Sequence, residues 1–229
     1  MQFNTFPSPK PLHAALTDKI TGLLKQAIAN QGQASLVVPG GSTPVALFNQ
    51  LSIVPLPWSK VIVTLSDERW VEDSHTDSNA KLVKDNLLIN LASKASFLPL
   101  KQSGATVSAA AQTANKQLSQ QPTFDVTLLG MGNDGHIASL FPGSQALQSG
   151  LDLASQEASI AVTPLLSNHA RISLTLARLL NSHQLILFFR GKTKHAVFRR
   201  ASQDGDMLSL PVTAIIKQDR TPLTIYWAP

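Results

Sequence analysis

From Pro11 to Gly32 the apolar positions Leu12, Leu16, Leu23, Leu24, Ala27 and Ile28 fall largely on one stripe of a 3.6-residue period. That stripe predicts an amphipathic helix stopped by the glycine. The short run Ser35–Val38 reads as a buried strand. It continues into Pro39-Gly40-Gly41-Ser42-Thr43-Pro44 and a second helical pattern through Leu51, with Pro44 suited to a helix start.

The unit of strand, polar turn and helix recurs. Strand Val61–Leu65 is followed by Ser66-Asp67-Glu68-Arg69-Trp70 and a helical pattern through Leu82, Val83, Leu87 and Leu88. An Ala-rich helix around Ala105–Leu118 precedes strand Phe124–Leu129, which runs into Gly130–Pro142, GMGNDGHIASLFP. Strands near Ile160–Val162 and at Arg171–Leu174, a helix to Leu180, strand Leu185–Phe189, helix Lys194–Ala201 and strand Leu223–Trp227 complete the pattern. Gly150–Glu157 and Gln203–Leu208 read as surface loops. Such alternation implies an α/β fold, a Rossmann-like and largely parallel sheet with helices on both faces. The 229 residues suit one domain, 1–229, with no linker in the composition.

The chain has no cysteine, which removes disulfides, thiolate metal sites and a cysteine nucleophile. The N-terminal MQFNTFPSPKPLHAALTDKI lacks the basic start and long apolar run of a secretory signal. Apolar stretches such as Leu185–Phe189 fall far short of the roughly 20 residues that span a bilayer. A soluble, cytoplasmic protein without a membrane partner is expected. The net charge of +5 favours anions. Its densest cluster, Arg190, Lys192, Lys194, Arg199 and Arg200, has no interleaved aromatics to stack bases, which argues against nucleic acid and leaves a small anionic substrate.

In a parallel sheet, ligands bind where strand C-terminal ends meet. Four polar loops qualify: Gly40–Thr43, Asp67–Arg69, Gly130–His136 and Arg190–Lys194. Gly40, Gly41, Ser42 and Thr43 place flexible backbone and two hydroxyls at a helix N-terminus, which suits a phosphate and equally suits a tight turn with a side-chain cap. Gly191-Lys192-Thr193 has the end of a nucleotide P-loop but Ile186 in place of the first glycine. Gly130, Gly132 and Gly135 satisfy G-x-G-x-x-G, yet Asp134 would repel a pyrophosphate and Pro142 would break the following helix, so no dinucleotide is expected. His136, presented after Gly135, has the chemistry of a general base, and Asp134 and Asp67 are the carboxylates available to orient or polarise its ring. Arg171 opens an apolar strand, an uncommon position for a guanidinium without an anionic partner. His13, His75, His169, His183 and His195 show no paired ligand spacing, and no metal is predicted. The chain also lacks G-x-S-x-G, and Ser139 falls in a predicted helical turn, which disfavours a serine hydrolase.

GGSTP at Gly40–Pro44, SDERWV at Ser66–Val71, GMGNDGHIASLFP at Gly130–Pro142, RISLTL at Arg171–Leu176 and GKTKHAVF at Gly191–Phe198 together closely resemble the 6-phosphogluconolactonases. The matches occur in family order and run from about Leu36 to the end of the Lys194 helix. The resemblance implies hydrolysis of 6-phospho-D-glucono-1,5-lactone without metal or organic cofactor. It also implies the fold shared with glucosamine-6-phosphate deaminases and ribose-5-phosphate isomerase-like enzymes. The deaminases follow the histidine with a segment resembling A-F-N-E-P. Here Phe141 stands where they place a glutamate, which favours the lactonase.

Under that resemblance His136 is the general base on water, and Asp134 and Asp67 set its tautomer or hold the water. Arg69 or backbone N–H groups stabilise the oxyanion. Gly40, Gly41, Ser42 and Thr43 hold the phosphate, with Arg171 and Lys194 supplying charge and Arg69 able to serve either end. The partner is the small-molecule substrate, and both monomer and homodimer stay open.

Overall fold

The structure, a computed structural model, describes residues 1–102, 106–165, 168–203 and 205–229. In chain order its main elements are β1 (Gln2–Thr5), α1 (Pro9–Gln31), β2 (Ala34–Val38), α2 (Val45–Ser52), β3 (Val61–Leu65), β4 (Asp67–Arg69), α3 (Asn79–Asn86), β5 (Ser96–Leu98) and α4 (Val107–Ser119). They continue as β6 (Phe124–Leu129), α5 (Leu147–Leu151), β7 (Ser159–Val162), β8 (Arg171–Leu174), α6 (Leu176–Leu180), β9 (Ser182–Arg190), α7 (Lys192–Gln203), α8 (Val212–Lys217) and β10 (Leu223–Ala228).

Seven strands form one sheet in the order β1-β10-β9-β6-β2-β3-β5, and every neighbouring pair is parallel. Burial on both faces explains the mainly apolar strands: all six residues of β6 are buried, polar Asp125 and Thr127 included, as are Leu185–Phe189 in β9. Helix α1 packs against β2, β6 and β10, burying Leu12, Leu16, Ile20, Leu24 and Ala27. Gly32 closes it in the left-handed conformation, returning its N–H to the Ile28 carbonyl. The buried stripe runs through Ile20, while Leu23 and Ile28 of the expected stripe sit at its half-buried margin.

From β2 the chain steps to β3 on one side, whereas β6 leads to β9 and β10 on the other. The strand order therefore reverses between β2 and β6, and a crevice opens at their C-terminal ends. Gly40 follows β2 and Gly130 follows β6, so both glycine loops enter this crevice.

Asp67–Arg69 is not the loop expected from sequence. It is a three-residue strand that pairs antiparallel with β8, which in turn pairs antiparallel with β7, to form a second sheet β4-β8-β7. Ser66 is the handover: its N–H donates to Val38 of the large sheet, and its carbonyl accepts from Leu174 of the small one. Three residues are too few to show a period, so this strand was invisible as a pattern.

Gly150 and Leu151 are likewise not surface loop but buried within α5, where Gly150 faces Leu140 and Ile160. Ala105, the expected start of the Ala-rich helix, and Asp204, within the expected 203–208 loop, lie outside the described residues. Among the described residues, no helix is long and apolar enough to cross a membrane.

At the opposite edge of the sheet from the crevice, buried Asp125 accepts from the Ser35 N–H at 2.7 Å, Ser35 Oγ at 3.0 Å and Gln31 Nε2 at 2.9 Å. It ties the starts of β2 and β6 to the end of α1. Asp125→Ala strands these donors and is expected to lower stability by about 1–3 kcal/mol. Urea unfolding checks this, and the crevice chemistry should survive at temperatures where the variant stays folded.

Candidate active site

The crevice is a cleft of about 260 Å³ lined by Gly40, Gly41, Ser42, Thr43, Ser66, Asp67, Arg69, Asn79, Gly130, Gly132, His136, Phe188 and Lys194, among others. Four separate stretches of sequence thus meet at one place. Of the residues singled out from sequence, Asp134 and Arg171 stand outside this lining.

His136 sits after a tight turn in which Gly135 takes φ 80°, a left-handed conformation that glycine adopts without strain. Its Nδ1 lies 2.6 Å from Asp134 Oδ1, and its backbone N–H donates to that same oxygen at 3.2 Å. A carboxylate accepts only, so this contact makes Nδ1 the protonated nitrogen and leaves the Nε2 lone pair free. Gly132 makes room for the pair: a methyl there would overlap both His136 Nδ1 and Asp134 Oδ1. Burial acts to raise the Asp134 pKa, but the hydrogen bonds and charge of His136 outweigh it and hold the carboxyl below its ordinary value.

On its other side the imidazole meets Phe141, ring centroids 4.3 Å apart. The Ile137–Phe141 segment is not the helical turn expected for Ser139. Ile137 and Leu140 form an isolated bridge, and Ala138 takes φ 47°. Ser139 is consequently turned inward, fully buried, and donates to Asp67 Oδ2 at 2.6 Å.

Asp67 does not orient His136 by a direct hydrogen bond. Its Oδ2 receives Ser139 and its Oδ1 receives Ser66 Oγ at 3.0 Å, while the carboxylate borders the cleft. Neighbouring Glu68 points the other way, capping α3: it accepts from the Asn79 and Ala80 N–H groups, each at 2.7 Å, and from Ser78 Oγ at 3.2 Å. Burial raises its pKa beyond what these bonds and the Arg69 N–H offset. Asn79, also buried, donates from Nδ2 to the Asp67 carbonyl at 2.8 Å and packs against Gly40, where any side chain would overlap it. Ser139 and Asn79 were not legible as site residues, because each acts through a partner about 70 or 12 positions away along the chain.

Two cationic poles flank the cleft. Arg69 donates from Nη1 to the Asp77 carbonyl at 2.5 Å, and Arg171 is its direct cross-strand partner. Arg171 is buried behind the lining; burial and then the Arg69 charge lower its pKa, while Asp67, Asp77 and Glu68 act in the opposite sense. At the other pole Lys194 lies in the first turn of α7, its pKa lowered by burial and by Arg190, with Asp134 opposing. Between the poles, α2 begins at Val45 with Pro44 as its N-cap and no side-chain cap. Ser42 and Thr43 thus do not fill the capping role and belong instead to the cleft wall.

Comparison with known proteins gives a consistent picture. The family model described as glucosamine-6-phosphate isomerases/6-phosphogluconolactonase matches residues 7–227. The chain is 42% identical over 225 residues to a 6-phosphogluconolactonase of Rhizobium meliloti, covering 98% of this chain and 97% of that one. It superposes with TM-score 0.97 and 42% identity on a 6-phosphogluconolactonase from Shewanella baltica, covering 100% and 98% of the two chains. A monomeric glucosamine-6-phosphate deaminase shares the fold at TM-score 0.83 and 16% identity, over 100% and 97% of the chains.

Because the folded-state pKa of Asp134 is depressed, its pairing contributes stability above the unfolded-state value of about 3.9, lost as pH falls through the folded value. The stability difference between wild type and Asp134→Asn should accordingly shrink between about pH 5 and 3. Chemical denaturation across that range reads it. Gly132→Ala should break the His136–Asp134 contact, with loss of the low-field Nδ1 proton signal in NMR spectra while the backbone amide pattern outside the loop is kept.

Proposed function

The chain belongs to the glucosamine-6-phosphate isomerase/6-phosphogluconolactonase family, and we propose that it hydrolyses 6-phospho-D-glucono-1,5-lactone to 6-phosphogluconate. The observation that carries this reading is an imidazole bonded through Nδ1 to Asp134, backed by Phe141, with Nε2 left as a base in a cleft between two cationic poles. The relatives named 6-phosphogluconolactonase, at 42% identity over nearly the whole chain, support it.

In this scheme His136 Nε2 takes a proton from a water that attacks the lactone carbonyl carbon, a transfer worth about 10²–10⁴ in rate. Asp134 holds the tautomer and stabilises the imidazolium that forms. The carbonyl oxygen gains charge and is stabilised by Arg69 or by backbone N–H groups of the glycine loops. As the tetrahedral intermediate collapses, the bond from C1 to the ring oxygen breaks and His136 returns its proton to that oxygen. Asp67, already holding two serine hydroxyls, has lone pairs left for the water or a sugar hydroxyl. The phosphate lies against Gly40, Gly41, Ser42 and Thr43, with Lys194 beside it and Arg171 adding charge from behind Arg69. The steps use only water and the chain's own residues.

Phe141 sets the direction of the chemistry. A carboxylate at that position would supply the second proton-transfer group that ring opening and deamination of an amino sugar require; the aromatic ring supplies none.

Freshly prepared 6-phosphogluconolactone, corrected for spontaneous opening, is the test substrate. His136→Ala should lower kcat at least about 100-fold with a smaller change in KM. Equal rates for variant and wild type would defeat the proposal, as would ammonia release from glucosamine 6-phosphate at a comparable rate. Tight binding of 6-phosphogluconate without any turnover of the lactone would mark a binding module instead.

A further inference from the structure

Next to the cleft, joined to its lining residue Arg69 through the Asp77 carbonyl, three metal-ligating side chains from two separate loops form a rim cluster. His75 and Asp77 lie between β4 and α3, and His169 lies two residues before β8. One ring nitrogen from each histidine and one Asp77 carboxylate oxygen all fall within 4.8 Å of one another. His169 Nε2 is 3.1 Å from Asp77 Oδ2, and His75 Nδ1 is 4.0 Å from that same oxygen. The two imidazoles meet edge to face with centroids 5.5 Å apart.

Ligands held at about 2.0–2.2 Å around a tetrahedral ion stand about 3.3–3.6 Å from one another. The Asp77–His169 spacing already lies close to that range, and an approach of His75 by roughly 1 Å completes the set. The side chains of His75 and Asp77 are 44% and 52% exposed, which leaves them room to rotate toward His169, 27% exposed. His75 Nδ1 also accepts the Asp77 N–H at 3.0 Å, an exposed amide that water can satisfy if the nitrogen turns to a cation. Two imidazoles and one carboxylate favour a borderline divalent ion such as zinc over magnesium or calcium, which take oxygen ligands.

We propose that His75, Asp77 and His169 form a binding site for a divalent transition-metal ion, zinc fitting best, with water completing its coordination. The two loops already touch through their backbones, the Trp70 N–H donating to the Ala170 carbonyl at 2.8 Å. An ion would lock them a second time, beside the Arg69–Arg171 pair and on the residue whose carbonyl receives Arg69 Nη1. Its role is a clamp on the mouth of the cleft, not a part in the reaction, so the proposal stands apart from the catalytic reading. No spacing along the sequence announces it, because Asp77 and His169 are 92 positions apart.

The test uses the chelator-treated full chain, titrated with Co²⁺ by visible absorption and with Zn²⁺ by calorimetry. His75→Ala, His169→Ala, the double variant and His183→Ala, an exposed histidine elsewhere, are titrated in parallel. One equivalent should bind to wild type and to His183→Ala. Binding should weaken at least about tenfold in each rim variant. Zn²⁺ should also slow amide hydrogen exchange over residues 72–78 and 168–170 in the wild type. Equal affinity in wild type and double variant overturns the proposal, and so does unchanged exchange in both segments.

Discussion

All seven strands of the large sheet run in one direction, and that constraint governs where chemistry is available. Parallel strands deliver every following loop to the same edge, and the reversal of strand order between β2 and β6 prevents two of those loops from covering the gap between them. The glycine loop after β2 and the histidine loop after β6 are therefore neighbours in space, although about 90 residues separate them in sequence. The small antiparallel sheet then closes one side. Ser66 joins it directly to the large sheet, bonded to Val38 on one sheet and Leu174 on the other. Asp67 and Arg69 follow immediately, so their placement is rigid for the same reason that the two sheets are joined.

The electrostatic arrangement follows from that geometry. Pairing β4 with β8 puts Arg69 opposite Arg171, a like-charge contact that weakens a sheet unless other charges offset it. Asp67, Asp77 and Glu68 supply part of the offset. Across the cleft, burial and Arg190 act together to weaken the hold of Lys194 on its proton. On the proposed reading, partly desolvated cations on both sides favour a doubly charged phosphate, since each gains a counter-charge in a low-dielectric setting.

The large sheet and most of its helices were legible because burial on both faces writes continuous apolar runs, and helix faces write a 3.6-residue stripe. Strands Val61–Leu65, Phe124–Leu129 and Arg171–Leu174 occupy the residues expected of them. What escaped was short or exposed: β1 is largely exposed, and β4 and β5 have three residues each, too few for a period. The cleft was legible as a set of loops after strands, and His136, Asp67, Arg69, Lys194 and the Gly40–Thr43 turn do line it. The pairings within it were not. Asp134 and Asp67 stood as equal candidates to hold His136, and choosing between them takes distances: Asp134 reaches the ring at 2.6 Å, while both oxygens of Asp67 are engaged by serines.

That division of labour between the two carboxylates gives the Ile137–Phe141 segment a purpose. Its reversal at Ala138 turns Ser139 into the core toward Asp67, and two residues later it lays Phe141 against the imidazole. The loop that presents His136 is thereby pinned to the strand that presents Asp67 and Arg69, without a direct bond between His136 and Asp67. In the proposed mechanism, a direct bond would engage the nitrogen that accepts the proton from water. Routing the connection through Ser139 keeps the two halves of the site in register while leaving Nε2 unencumbered. The aromatic ring, in turn, limits the imidazole to the orientation that Asp134 has set. The same five residues thus fix both the position of the base and the absence of a second carboxylate beside it, and on this reading water attack is the chemistry that remains.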